Sequence, residues 1–316
     1  MSDTPSPLLS AVVVNYNGSR WLPGLLDSVQ PQLAALSSEI ILVDNASTDD
    51  SVALVCERYP NVIIVQGAAN RGYAAGANLG LSRARGDWIL VLNTDLFFPQ
   101  GSVKALLAEA QRRPRLGLAG PLLIDGSGAV TSSYGYEPDE RTMFIRLVRG
   151  RHLEVIPDRV GPPVQDVPYL VGACLLVRRA ALTEVGPMDE RFFMYFEDVD
   201  WSRRFRQAGW EVALLREVQV AHFGGGTSSH ALAQPVRWFY LSLGYFARKH
   251  YGPARALLIR MLAIATHVLG LSGRWALACL HRTGRGETYR QGQALHRAAL
   301  RALLVEAGRQ NRRQRT

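Results

Sequence analysis

The stretch LSAVVVNYNGS, residues 9–19, decides the fold. Its first six residues, Leu9–Val14, form an unbroken apolar and β-branched run, the pattern of a strand buried on both faces. Its last five, Asn15-Tyr16-Asn17-Gly18-Ser19, form a polar turn, and Leu22, Leu25, Leu26 and Val29 follow at helical spacing. The same alternation continues. EIILV (39–43) predicts a second strand, and Ser47 with Asp50 makes a capping-box-like pair ahead of a helix over Val52–Arg58. Val62–Val65 predicts a third strand, Tyr73–Arg83 a helix and WILVL (88–92) a fourth strand. Strand and helix thus alternate four times within about ninety residues, which implies a parallel sheet with helices on both faces.

Beyond it, Lys104–Arg112 and Trp201–Ala208 read as helices and Val171–Val177 as an apolar strand. Ser127–Val167 is rich in glycine, proline and charge and predicts loops, and from Gln234 onward the pattern is helical. There is no internal repeat.

Composition narrows the function. Of 316 residues, 47% are apolar and 20% charged, which excludes a wholly disordered chain. The net charge of +9 is uneven: residues 246–316 hold 14 basic and 2 acidic residues, and the rest hold 22 and 25. A near-neutral body with a basic tail argues against a body built to bind nucleic acid. Cys56, Cys174 and Cys279 are scattered, without a C-x-x-C, so neither a disulfide framework nor a zinc site is expected. Met1–Pro7 lacks a basic n-region, so no secretory signal is expected. Met261–Gly273, the longest tail stretch without Lys or Arg, falls short of the ~20 residues of a spanning helix.

Polar residues gather at strand ends. EIILV runs into Asp44-Asn45, and WILVL into Asn93-Thr94-Asp95. In an open parallel sheet ligands bind beyond the carboxyl ends of the strands, so both pairs point at one crevice, although Asp and Asn also simply start turns. The first βα turn has no G-x-G-x-x-G, which disfavours a nicotinamide or flavin site. A second concentration is MDERFFMYFEDVDW (188–201), with Glu197, Asp198 and Asp200 among aromatic rings. Desolvation beside rings raises a carboxylate pKa and suits a general base, while the same residues could merely cap the following helix. His222, after the apolar run Val218–Ala221 and before Gly224-Gly225-Gly226, reads either as structural or as a metal ligand.

Taken in order, VVVNYNG (12–18), VDNASTDDS (43–51), NRGYAAGANLG (70–80), LNTDL (92–96), GACLLVRR (172–179), MDERFFMYFEDVDW (188–201) and the His222 segment resemble the family 2 inverting glycosyltransferases of GT-A fold. The similarity is to their bacterial rhamnosyltransferase-like and galactofuranosyltransferase-like branch. It covers about residues 8–250, which it implies to be the α/β catalytic domain with a central, mostly parallel sheet, leaving 251–316 as a helical basic extension.

The resemblance implies roles for matching positions. Asn15 and Tyr16 would line the nucleotide site, Asp44 would hydrogen-bond the base, and Arg71, Gly72 and Asn78 would approach the ribose and diphosphate. Asn93-Thr94-Asp95 occupies the DxD position, where Asp95 would hold Mg²⁺ or Mn²⁺ and His222 would complete the metal site. Asp198 matches the catalytic base, with Glu197 and Asp200 on the acceptor side. Asn93 departs from the family's Asp and removes one formal charge from the site. The implied reaction moves a sugar, rhamnose by resemblance, from a dTDP- or UDP-linked donor to a hydroxyl of a glycan or lipid-linked acceptor with inversion, in cell-surface polysaccharide synthesis. It would take place in the cytoplasm or peripherally at the inner face of the cell membrane. A nucleotidyltransferase sharing the crevice is the alternative, and a nucleic-acid binder using the basic tail is disfavoured by the body's charge. The tail, with Leu257, Leu258, Met261, Leu262, Ala265, Val268 and Leu269 at helical spacing beside Arg255, Arg260, Arg274 and Trp275, suits either an anionic membrane surface or a packed or dimeric element. Arg309–Arg315 reads as a disordered end.

Overall fold

A computed structural model describes residues 7–149, 153–224, 233–280, 294 and 296–304, the side chains of 233–234 and 270–280 excepted. Gly225 and Gly226, the 309–315 end, and the side chains of Arg274, Trp275 and Cys279 therefore lie outside the described residues. The described chain forms two compact units. The larger takes residues up to Tyr136, Glu154–Phe193 and Glu197 onward to Gly224; the other takes Glu137–Leu153, Met194–Phe196 and the C-terminal helices.

In chain order the elements begin with β1 (Leu9–Asn15), α1 (Leu22–Ala34), β2 (Ser38–Asp44), α2 (Ser51–Arg58), β3 (Ile63–Gln66), α3 (Tyr73–Leu81) and β4 (Trp88–Asn93). There follow β5 (Leu96–Phe97), α4 (Ser102–Gln111), β6 (Leu116–Ile124), β7 (Tyr134–Gly135), α5 (Glu140–Arg149), β8 (Glu154–Val155), β9 (Val164–Asp166) and β10 (Tyr169–Leu170). The series closes with β11 (Cys174–Arg178), α6 (Arg179–Val185), α7 (Glu197–Gln207), β12 (Glu211–His222) and α8 (Ala233–Leu280).

The main sheet runs β3-β2-β1-β4-β11-β6-β12-β5, with β9 also on β12. Its first four strands are parallel, as the alternation predicts. The rest is mixed: β11 is antiparallel to β4 and β6, whereas β12 runs parallel to β6. Side chains of β1 alternate between two cores. Ala11 and Val13 join Leu25, Leu26 and Leu106 on one face, and Val12 joins Ala74, Ala77 and Trp201 on the other. Helix α3 sits close to β1 because it offers only small residues there. A Cβ on Gly80 would lie 2.2 Å from Val12 Cγ1.

Three local expectations are corrected. Asp50 caps α2 without a side-chain hydrogen bond. Ser47 Oγ instead accepts from Asn17 N–H, and Asp49 takes the Ser51 N–H and hydroxyl. Strand β6 (LGLAGPLLI) lies where no strand was expected, and it carries Gly117, Gly120 and Pro121, residues that weaken a strand. The partner strand absorbs the proline: the register of β12 jumps from Leu215, opposite Pro121, to Gln219, opposite Leu122. Finally, α5 and three short strands occupy the segment expected to be loops.

In the helical unit, α8 is joined to α5 by Arg255 to Glu140 at 2.8 Å and to the segment before α5 by Tyr251 to Glu137 at 3.1 Å. Gly252, at φ 80°, interrupts the helical geometry of α8. Contrary to the short cation-free run in the sequence, one stretch among the described residues, Pro235–Leu269, is long and apolar enough by length and composition to cross a membrane. A spanning helix tolerates a few charges, so cations such as Arg255 and Arg260 interrupt the cation-free run without ending the apolar one.

Candidate active site

Parallel register sets three strand ends side by side. Asn15 stands beside Asp44, and its neighbour Val14 stands beside Asn93. The carboxyl edge of β1, β2 and β4 therefore gathers the polar residues that the sequence placed after each strand.

The loops leaving that edge are sewn together. Asn15 is wholly buried, and its amide nitrogen reaches Asp44 Oδ1 at 2.9 Å, Ser51 Oγ at 2.9 Å and Ser47 Oγ at 3.1 Å. Its Oδ1 accepts from Gly18 N–H at 3.1 Å. Asn15 thus organises the crevice wall from within. Asp44, also buried, accepts from Ser47 N–H through its other oxygen at 3.1 Å. Asp49 Oδ2 takes the Ser19 N–H at 2.9 Å, and Asn17 Oδ1 takes the Thr48 N–H at 2.7 Å, so the first two βα turns hold one another. Tyr16 is half-buried beside them. The roles of Ser47, Asp49 and Ser51 were not separable in sequence from ordinary turn residues.

The segment 70–78 meets the aromatic and acidic loop. Gly72 has φ 93°, and a Cβ there would lie 2.1 Å from Phe193 O, so only glycine fits. Asn78 exchanges hydrogen bonds with the Met188 backbone at 2.8 and 2.9 Å and reaches Glu190 at 3.2 Å. Exposed Arg71 pairs with Glu190 at 2.6 Å. Asn78 and Arg71 therefore steady the 188–190 loop.

At the end of β4, Asp95 is buried and its Oδ1 lies 3.4 Å from His222 Nε2, at the end of β12. Pairing of Leu96 with His222 brings the two together. Among the described residues no cluster of three or more His, Cys, Asp and Glu forms a metal cage. One carboxylate and one imidazole leave most coordination positions open, which fits a hard cation shared with substrate oxygens and water.

The chain reaches α7 through Tyr195 and Phe196, both non-glycine residues at positive φ (67° and 69°). Such backbone costs about 1–3 kcal/mol per residue and persists only where packing enforces it. Within the helical unit that packing is visible: both rings meet Phe239, and Ser242 Oγ donates to Met194 O at 2.8 Å. Glu197 and Asp198 follow at once.

Asp198 Oδ2 accepts from Gly172 N–H at 2.9 Å and Oδ1 from Val199 N–H at 2.8 Å. Desolvation nevertheless dominates these bonds and raises its pKa to about 6. Glu197 is buried, its Oε2 has no hydrogen-bond partner, and burial followed by the charge of Asp198 pushes its pKa well above the usual range. Both carboxyls are thus harder to ionise than in water, and Asp198, at about 6, is a base matched to near-neutral work. Asp200 is fully buried and bonded to Arg204 at 2.9 Å, inside α7.

The comparisons with known proteins agree in kind. The sequence model of the family described as Glycosyl transferase family 2 matches residues 10–186. An N-acetylglucosaminyl-diphospho-decaprenol L-rhamnosyltransferase of Mycobacterium tuberculosis is 32% identical over 295 residues, which is 83% of this chain and 92% of that one. A mannosyltransferase from Pyrobaculum calidifontis, solved with GDP-Man and Mn²⁺, superposes with a TM-score of 0.59 at 17% identity, covering 96% of this chain and 87% of that one. GalNAc-T7, solved with UDP, GalNAc and Mn²⁺, gives 0.54 at 15% identity, covering 96% and 57%. At those identities the structural likeness is one of fold.

Proposed function

The chain belongs to glycosyltransferase family 2, and from that premise we propose that it transfers rhamnose from a nucleoside-diphosphate donor to a hydroxyl of a polyprenyl-diphosphate-linked sugar, with inversion. It is a glycosyltransferase of GT-A-type fold. The rhamnose and the lipid-linked acceptor are taken from the mycobacterial relative, and dTDP is the donor nucleotide we favour over UDP.

The observation that carries the reading is Asp198, a carboxylate held by two backbone N–H groups yet desolvated enough to hold a pKa of about 6. Inversion needs one carboxylate to take the acceptor proton as the hydroxyl oxygen attacks, and no protein nucleophile. Asp44 and the turns that Asn15 organises would bind the nucleotide, with Tyr16, Arg71, Gly72, Asn78 and Asn93 along its length. Asp95 and His222 would hold a divalent cation, Mg²⁺ or Mn²⁺. When bound, such a cation neutralises charge gathering on the leaving diphosphate.

The helical unit is read as a peripheral contact with the inner face of the cell membrane. Leu257, Leu258, Met261, Val268 and Leu269 are exposed on α8, in the chain's basic region. Reversible adsorption of such a face would bring the enzyme to an acceptor anchored in lipid.

Thermal-shift measurements against a panel of nucleotide sugars, with and without Mn²⁺ or Mg²⁺, test the reading. Stabilisation by dTDP-rhamnose that grows with the cation is expected. Indifference to every nucleotide sugar would refute it.

A further inference from the structure

The structure assigns Tyr73 a part in the reaction: we propose that its hydroxyl, acting through the Gly172 backbone, is a positioning element for Asp198. The proposal rests on Asp198 being the base, and it adds two residues to which no role in catalysis has been given.

Tyr73 opens α3, its N–H held by Phe193 O at 2.9 Å and its ring packed against the core on the α3 face of the sheet. From there its hydroxyl donates to Gly172 O at 2.8 Å. Gly172 lies between β10 and β11, and its own N–H donates to Asp198 Oδ2 at 2.9 Å. A phenol 99 positions earlier in the chain thereby fixes the orientation of the residue that grips the carboxylate.

The contact is close on both sides. A Cβ on Gly172 would stand 3.2 Å from Asp198 Cβ and 3.3 Å from its Oδ2. The next residue, Ala173, accepts the Asn93 N–H at 2.9 Å. One turn therefore ties the carboxylate to the start of the Asn93-Thr94-Asp95 segment, and Tyr73 is the side chain that pins that turn. The hydroxyl itself stays protonated, because burial and the nearby Glu197, Asp198 and Asp95 push its pKa well above 10. It can donate at every working pH and takes no proton from the acceptor.

Val199 N–H belongs to the base's own helix and moves with it. The Gly172 bond is the one that relates the carboxylate to the sheet. Without the phenol hydroxyl the turn can rotate, and the Gly172 N–H loses its aim at Oδ2. A bond that favours the ionised carboxylate then weakens, so the carboxylate becomes harder to ionise.

The test is a carbon-detected NMR titration of the Asp198 carboxyl in the free full-length protein, wild type against Tyr73→Phe. It needs no substrate. The ring remains, so the fold is kept. The midpoint is expected to move upward from about 6 by roughly half a unit or more, the scale of one weakened hydrogen bond to a charged group. In parallel, nucleoside diphosphate release from dTDP-rhamnose with a polyprenyl-diphosphate-GlcNAc acceptor should lose about tenfold in kcat, with the donor KM nearly unchanged. Gly172→Ala, which crowds Asp198 directly, should lose more in kcat. An unshifted midpoint together with a wild-type kcat in Tyr73→Phe would overturn the proposal, as would equal losses of stability alone. Asp198→Asn in the same assay keeps the two failures apart. If that variant is inactive while Tyr73→Phe is unaffected, the positioning idea alone falls. If it is active, the base assignment falls and takes the proposal with it.

Discussion

Asp198→Asn should produce an enzyme that is inactive yet loses less stability than wild type as pH rises. Desolvation raises the Asp198 pKa from 3.8 to about 6 despite the Gly172 and Val199 donors that pull it down. A rise of about two units corresponds to about 3 kcal/mol. The sign follows from where the proton sits. Below pH 3.8 the carboxyl is neutral in both states and costs nothing; as pH climbs through about 6 the unfolded chain ionises first, and stability is lost. Asparagine never ionises and escapes that loss. Its amide adds a fixed cost, because one backbone N–H faces NH₂ instead of oxygen, worth about 1–3 kcal/mol and independent of pH. The difference in unfolding free energy should therefore drift by about 2.5 kcal/mol in the variant's favour between about pH 4 and about pH 7.5. Glu197 pushes the same way, since removing the Asp198 charge removes part of what raises its pKa. Urea unfolding of both proteins across that pH range, without donor, gives the two curves. Parallel curves would refute the argument that desolvation tunes Asp198. Turnover in the same samples should fall by ~10²–10⁴-fold, the loss expected for removing a general base.

Neighbouring groups give further expected outcomes. Asp95→Ala should weaken donor binding and abolish its dependence on Mn²⁺ or Mg²⁺, with His222→Ala milder, both read by thermal shift; a wild-type rate that survives EDTA would end the metal proposal. Glu197→Gln should flatten the decline in stability that wild type shows as pH rises above 4.5, since glutamine mimics the neutral acid; an unchanged pH slope would mean Glu197 ionises freely. Asn78→Ala loses both bonds to the Met188 backbone and one to Glu190, and chemical denaturation should register about 1–3 kcal/mol. Full-length protein should co-sediment with anionic vesicles at low salt and leave them at high salt; indifference to vesicles would make the helical unit a packing or dimer element instead.

The parallel half of the sheet was legible because each strand is a continuous apolar run and each helix a 3.6-residue period. The same runs located Asp44 and Asn93–Asp95, since in parallel strands the residues just past each run emerge at one edge. Glu197 and Asp198 stood out as acids amid aromatic rings. β6 was missed: its glycines and proline disfavour a strand, and pairing with β11 and β12 reveals one. α5 was hidden among charges, with Met143 its single buried side chain. The bonds that shape the site are of another kind. Tyr73 to Gly172 and Asn78 to Met188 join residues 99 and 110 positions apart, and nothing in local periodicity encodes such a distance. The Gly172 segment was recognised as a motif, but its use as a hand on Asp198 depends on the φ/ψ path of a turn between two strands.

Inverting transfer from a nucleoside-diphosphate sugar can be tested directly on the product. Wild-type enzyme incubated with dTDP-β-L-rhamnose, a polyprenyl-diphosphate-GlcNAc acceptor and Mg²⁺ should release the nucleoside diphosphate. NMR of the product should show an α-linked rhamnose, and Asp198→Asn should give neither. Release of pyrophosphate, or a product retaining the donor's anomeric configuration, would contradict the account.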